Sequence, residues 1–355
     1  MNLSVGIVGL PNAGKSTLFN ALSKKQAALA ANYPFATIEP NTGIIEVPDE
    51  RLPVLAKIVK SNKIVPSTVE FKDIAGLVRG AHKGEGLGNK FLAHIREVSA
   101  ICYVLRFFED ADVVHVAGRV NPEEDLAILN EELILADVQT LEKQTEPKMN
   151  ASKEEKLRWE LLPKIKGNFN KGITVRDMKL DADELELLAP LSFLTIKPAI
   201  YVANMNEGQI AGSREVLSKF SIKPVIALSA KTEAELIDLP EEERQELLQS
   251  VGITEPALNT LAKTAFDTLG LMSFLTAGEK EVRAWTIKKG TTAQMAAGEI
   301  HTDFIKKFIK ADIVHYEDFI ALQGWTGARE KGKARQEGKE YIMQEGDVVE
   351  FKIGA

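Results

Sequence analysis

A single cysteine, Cys102, in 355 residues leaves nothing from which to build a disulfide framework. It lies in the apolar run Ala100 to Phe107, where a small buried core residue is expected rather than a reactive thiol. No apolar run approaches the roughly 18 residues that a membrane span needs, and the N-terminal run leads into a glycine-rich loop rather than a cleavage site. Positive charge is not in excess. A net charge of -7 and a pI near 5.5 argue against bulk, non-specific adhesion to nucleic acid or anionic membrane. A polyanionic partner must therefore be met by a local basic patch. Internal repeats and low-complexity tracts are missing too. What remains is a cytoplasmic globular chain, 45% hydrophobic and long enough for two or three domains.

The chain is organised around Gly9-Leu10-Pro11-Asn12-Ala13-Gly14-Lys15-Ser16, with the apolar run Leu3 to Val8 before it and the helix-like stretch Thr17 to Lys24 after it. The spacing G-x-x-x-x-G-K-S is that of a phosphate-binding loop, in which the glycines let successive N–H groups turn inward beside a helix N-terminus. Asn12, Ala13, Gly14, Lys15, Ser16 and Thr17 are the expected nucleotide contacts. Lys15 reaches the β and γ phosphates, and the Ser16 hydroxyl serves Mg²⁺.

The downstream partners of such a loop follow in order. Ala31 to Asn41 carries two prolines among polar residues and reads as a switch loop, with Thr37 offering its hydroxyl to Mg²⁺. Val69 to Ile74 alternates as a strand and delivers Asp73-Ile74-Ala75-Gly76, in which Asp73 supports Mg²⁺ and Gly76 leaves room for its N–H to meet the γ-phosphate. The glycine-rich stretch Leu77 to Asn89 reads as a second switch.

Lys197 to Ala203 is a strand ending in Asn204-Met205-Asn206-Glu207, and Val225 to Leu228 ends in Ser229-Ala230. These are the positions where the base is read. Guanine readers of this kind carry N-K-x-D, whose aspartate accepts from the guanine N1–H and N2 amine. Here Lys is replaced by Met205 and Asp by the longer Glu207. The Asn204 amide matches the N7 and N6 edge of adenine, and Ser229 and Ala230 offer backbone contacts, so ATP is expected over GTP.

Between about 123 and 190, Leu126, Leu129, Leu133 and Ala136, then Leu157, Leu161 and Ile165, recur at helical spacing among charges. This reads as an inserted helical arm. Leu275 to Gly278 reads as a boundary, giving domains at 1–277 and 278–355. The second is a compact α+β module whose stretch Gly327 to Arg335 is basic, with Trp325 beside it, and reads either as a solvated charged loop or as a contact for RNA phosphate or an acidic protein surface.

These stretches resemble the YchF branch of Obg-related P-loop NTPases, the Obg-like ATPases. The likeness is carried by Gly9 to Thr17, Asn32 to Asn41, Asp73 to Asn89, Asn204 to Glu207, Lys280 to Ile287 and Gly298 to Phe304. It implies an α/β fold: a P-loop G domain with a doubly wound, mainly parallel sheet, a coiled-coil insertion and a C-terminal TGS module of β-grasp type. It also implies ATP hydrolysis and association with the ribosome and its large subunit, the arm and TGS module being compatible contacts. Leu77 stands where switch GTPases carry a water-orienting Gln, so intrinsic hydrolysis is expected to be slow. His82 and His115 are candidates in cis, His115 favoured, with Arg79 a candidate charge stabiliser. Asn12 resembles positions that help bind a monovalent cation, which makes K⁺ a further expectation. Two alternatives stand beside this reading: a GTP-specific Obg-type switch, and a ribosome-binding regulatory module whose hydrolysis is incidental.

Overall fold

A computed structural model of the chain describes residues 3–30, 41–74, 87–110, 119–220, 222, 224–250, 253 and 255–354. It forms two compact units: 1–44 with 70–260, and 45–69 with 261–355.

The first unit starts with β1 (Ser4–Val8) and α1 (Lys15–Ala30) and contributes to a six-stranded sheet. In chain order the next elements are β2 (Thr42–Glu46), then α2 (Arg51–Val59) and β3 (Ile64–Val65), which belong to the second unit, and β4 (Thr68–Asp73). They are followed by α3 (Leu87–Glu97), β5 (Ala100–Arg106), α4 (Pro122–Glu142), α5 (Lys153–Phe169), α6 (Ala182–Leu188) and β6 (Ala199–Asn204). Then come α7 (Glu207–Ile210), α8 (Ser213–Ser218), β7 (Val225–Leu228), α9 (Ala230–Asp238), α10 (Glu241–Ser250) and α11 (Ala257–Thr268). The strand order is β2-β4-β1-β5-β6-β7, with β1 parallel to β4 and β5, and β5 and β6 parallel in turn to β6 and β7. Every residue of β5 is buried, as suits a central parallel strand covered on both faces. One of them is Arg106, so the run Ala100 to Phe107 is not wholly apolar.

The expected arm is α4, α5 and α6. Their starts are chemically marked: Asn121 caps α4, while Ser152 with Glu155 and Asp181 with Glu184 form reciprocal capping boxes on α5 and α6. Ile134, Leu161, Leu162, Ile165 and Phe169 build the arm's own apolar cluster, and Leu126, Leu129, Leu133 and Ala136 face the sheet cluster instead. α4 thus joins two cores.

The second unit holds β8 (Leu271–Ala277), β9 (Val282–Lys288), α12 (Ala293–Ile300), α13 (Asp303–Lys307), β10 (Phe308–His315), α14 (Tyr316–Ala321), α15 (Trp325–Glu330), β11 (Arg335–Glu337) and β12 (Asp347–Ile353). Its sheet runs β11-β10-β12-β8-β9-β3. The expected division at 277/278 is therefore displaced. β8 pairs along its whole length with β9, and β3 pairs with β9 through Ile64↔Val282 and Val65↔Arg283. The apolar face of α2, with Leu52, Leu55 and Ala56, packs in the same cluster as Leu275, Val314 and Phe319. Hydrophobic burial and ladder hydrogen bonds place both segments with the C-terminal strands. Among the described residues no helix is long and apolar enough to cross a membrane.

Candidate nucleotide-binding site

The site is built at the C-terminal ends of β1, β4, β5 and β6, where an open α/β sheet presents its loops. β1 leads into the glycine-rich loop, and two of its residues leave ordinary backbone space: Asn12 at φ 64° and Gly14 at φ 94°. Asparagine tolerates the left-handed region; elsewhere it is glycine's. A Cβ on Gly14 would also lie 2.0 Å from the Asn204 Nδ2, and one on Gly9 would lie 2.5 Å from the Val104 carbonyl oxygen. Both glycines are required by close approach.

Lys15, the first residue of α1, folds back over the loop. Its Nζ donates to the Leu10 carbonyl at 2.9 Å and the residue is 9% exposed. Burial pulls its pKa below the ordinary lysine value, while the Asp73 carboxylate opposes that shift. Asp73, at the end of β4, is pushed above the ordinary carboxylate range by burial, with Lys15 opposing. Each charge is short of compensation. A phosphate group would supply it to Lys15, and a cation would supply it to Asp73. Ser16 and Thr17 are exposed at the start of α1. A few hard oxygen donors, rather than a cage, suit Mg²⁺, which keeps waters and takes substrate phosphate oxygens. Among the described residues no group of three or more His, Cys, Asp or Glu forms a metal cage.

Asn204 is the keystone of the base side. It is 4% exposed; its Nδ2 donates to the Ala13 carbonyl at 2.9 Å and its Oδ1 accepts from the Ala230 N–H at 3.0 Å. The amide expected to read adenine is thus tied at both ends, binding the phosphate loop to the start of α9. The Ala230 N–H is used in the same contact, which alters its expected role as well. Ser229 caps α9 by accepting from the Thr232 N–H, and Met205 is buried, its N–H donating to Leu228. Glu207 opens α7 and is exposed. Of the expected base-reading residues Asn204, Met205, Glu207, Ser229 and Ala230, Glu207 is the exposed one.

Sequence reasoning missed two features. Arg106, 2% exposed at the end of β5 and in register with Asn204, donates from Nε to the Phe108 carbonyl at 3.1 Å and stacks 4.5 Å from the Phe108 ring centre. An arginine inside an apolar strand was the available signal. The second is a set of stitches between the loop after β5 and the loop after β6: Phe107 N–H to Asn204 O at 2.9 Å, Asn206 Nδ2 to Glu109 O at 3.2 Å, and Gln209 Nε2 to Phe107 O at 3.4 Å. Thr37, Gly76, Leu77, Arg79, His82 and His115 lie outside the described residues.

Comparison with known proteins matches residues 4–151 to a family model described as a 50S ribosome-binding GTPase. Residues 271–354 match the YchF GTPase C-terminal domain, described as a protein of unknown function. The chain is 48% identical over 363 residues to a Haemophilus influenzae protein named ribosome-binding ATPase YchF, covering 99% of both chains. A Bacillus subtilis protein of the same name is 48% identical over 365 residues, covering 99% of this chain and all of its own. The solved Schizosaccharomyces pombe YchF GTPase superposes with a TM-score of 0.87 at 36% identity, covering 99% of this chain and 98% of that one.

Proposed function

We propose, from the premise that the chain belongs to the YchF family, that it is a cytoplasmic, Mg²⁺-dependent ATPase that works in association with the ribosome. The observation that carries the enzymatic part is that Lys15 and Asp73 only partly offset each other's burial, beside a loop shaped by Gly14 and braced by Asn204. The names of the relatives support the ribosomal part. The phosphate loop and Lys15 hold the β and γ phosphates, and the reaction is in-line attack of water on the γ-phosphorus with ADP as leaving group. When bound, Mg²⁺ neutralises phosphate oxygens; Ser16, Thr37 and Asp73 are the residues that would hold it. Gly76 meets the γ-phosphate through its backbone, His115 positions the water in place of the Gln that Leu77 lacks, and turnover without a partner is slow. Asn12 is the residue that would help hold a K⁺, which would add positive charge beside the phosphates. The helical arm and the C-terminal unit provide the ribosomal contacts.

ATP rather than GTP is the proposed substrate because Glu207 and Met205 depart from the guanine-reading pair, although one family description and one relative's title say GTPase. The test is competition of unlabelled ATP and GTP against a fluorescent nucleotide analogue with Mg²⁺ present. ATP is expected to bind about tenfold tighter, a difference of about 1.4 kcal/mol. A GTP preference overturns the base assignment and leaves a guanine switch. His115→Ala with unchanged single-turnover hydrolysis removes His115 from the reaction, and equal rates in Na⁺ and K⁺ remove the monovalent ion.

A further inference from the structure

Three of the four cations in the basic stretch Gly327 to Arg335 that stands out in the sequence are paired in the fold, and the fourth, Lys331, is exposed with no ion pair among the described residues. Arg329 binds Glu350 at 2.7 Å, Lys333 lies 3.3 Å from Asp318, and Arg335 sits between Glu337 at 3.7 Å and Asp347 at 3.9 Å. A phosphate arriving there competes with a carboxylate already in place.

The opposite holds where α13 runs into β10. Lys306 and Lys307 are exposed on the last turn of α13 and Lys310 is half-buried on β10; none of the three has an ion-pair partner among the described residues. The cross-strand neighbour of Lys310 is another cation, Lys352, which itself takes up Glu350 at 2.5 Å and Asp312 at 3.8 Å. Between Lys307 and Lys310 in the chain, Ile309 is 61% exposed, the most exposed large hydrophobic residue of its unit. The backbone carrying them is anchored. The Lys307 carbonyl accepts from the Gly354 N–H at 2.8 Å, and Ile305 packs so closely on Gly298 that a Cβ there would meet its Cδ1 at 2.6 Å.

We infer that Lys306, Lys307 and Lys310 form the surface through which the C-terminal unit contacts RNA phosphates of the ribosome. The inference rests on the ribosome association proposed above and assigns it a place. Uncompensated ammonium groups on a fixed backbone gain most from releasing the counterions of a polyanion, and three of them amount to a modest, sequence-independent contact. An acidic chain with net charge -7 needs such a local patch to approach RNA at all.

The test uses the full-length protein and purified large ribosomal subunits in sedimentation binding at salt concentrations between about 50 and 200 mM. The triple variant K306E/K307E/K310E is expected to bind at least about tenfold more weakly, and the milder K306Q/K307Q/K310Q to lower the slope of log K against log salt by about 2 to 3. ATP affinity and the thermal unfolding of the C-terminal unit are both expected to stay at the wild-type values in both variants, the second showing that the mutated unit is folded, and Arg329→Gln, in the paired stretch, is expected to leave the slope unchanged. Purified ribosomal RNA is expected to compete with the subunit for the wild-type protein. Wild-type protein that does not sediment with the subunit overturns the ribosome reading and this surface with it. Wild-type protein that binds while both triple variants bind equally well overturns the surface alone. Loss of binding in the variants without competition by RNA assigns the lysines to an acidic protein face and overturns the RNA contact.

Discussion

Replacing Asp137 by asparagine tests whether burial or hydrogen bonding governs the joint between the helical arm and the sheet. Asp137 lies on α4 with no exposed surface. Its Oδ1 accepts from the Leu194 N–H at 2.7 Å, and its Oδ2 accepts from the Thr195 N–H at 2.8 Å and the Thr195 hydroxyl at 2.6 Å. Burial pushes the carboxyl up to about 6 from an ordinary 3.8, even though these hydrogen bonds act in the other direction. The folded state thus holds the proton more tightly than the unfolded chain. Between about pH 4 and pH 6 the native state carries the extra proton, so stability falls as pH rises and levels off above the folded pKa. With each tenfold change in proton affinity worth about 1.4 kcal/mol, ionisation costs the fold about 3 kcal/mol. Asparagine cannot ionise and lacks this slope, though its NH₂ must face one of the donors now served, at a cost of about 1 to 3 kcal/mol that does not vary with pH. The stability difference between wild type and Asp137→Asn is therefore expected to move by about 2.4 kcal/mol in the variant's favour from about pH 4 to pH 7. Amide hydrogen exchange at Leu194 and Thr195, beside urea unfolding across that range, measures it. A difference that stays constant with pH would mean that Asp137 titrates near its ordinary value and that the burial argument is wrong.

Other substitutions separate scaffold from chemistry. Gly14→Ala puts a methyl at φ 94° and 2.0 Å from the Asn204 amide; calorimetry is expected to find ATP affinity down at least about 100-fold, about 2.7 kcal/mol, and a loss under threefold would contradict the close approach. Asn204→Ala frees both the Ala13 carbonyl and the Ala230 N–H, so ATP and GTP are expected to weaken together; weakening of ATP alone would restore Asn204 as a base reader. Tyr103→Phe removes the hydroxyl that accepts from Arg176 at 2.6 Å and donates to Asn130 at 3.1 Å. It is expected to cost about 1 to 2 kcal/mol in chemical denaturation, and no change would show that the hydroxyl is dispensable at the arm's root.

How much of this was legible in the sequence follows from the range over which each feature is determined. The phosphate loop is local: Gly14 must take φ 94° whatever surrounds it, and Gly-Lys-Ser at the mouth of a helix is a pattern that a backbone cradle imposes on itself. The arm is local too, because capping boxes such as Ser152 with Glu155 close within four residues. The division between units is not. Leu271–Ala277 is an apolar run that either sheet could accept, and its place is decided by partners as distant as Val348 in β12. The pairing of Val65 with Arg283 leaves no local trace at all. Asn204 is legible as a residue of the base loop, but its two hydrogen bonds reach Ala13 and Ala230, so its role as a brace depends on a three-way meeting of segments. The pairing of most of the basic stretch is hidden for the same reason. A sequence shows where cations are dense, whereas a phosphate responds to cations that lack acids. Arg329 is closed by Glu350, twenty-one residues on, while the sparser Lys306, Lys307 and Lys310 have no ion pair among the described residues, and the acids Asp312 and Glu350 on the strands around Lys310 serve Lys352 and Arg329. Charge density is a property of the chain; charge balance is a property of the fold, and the second decides where a polyanion binds.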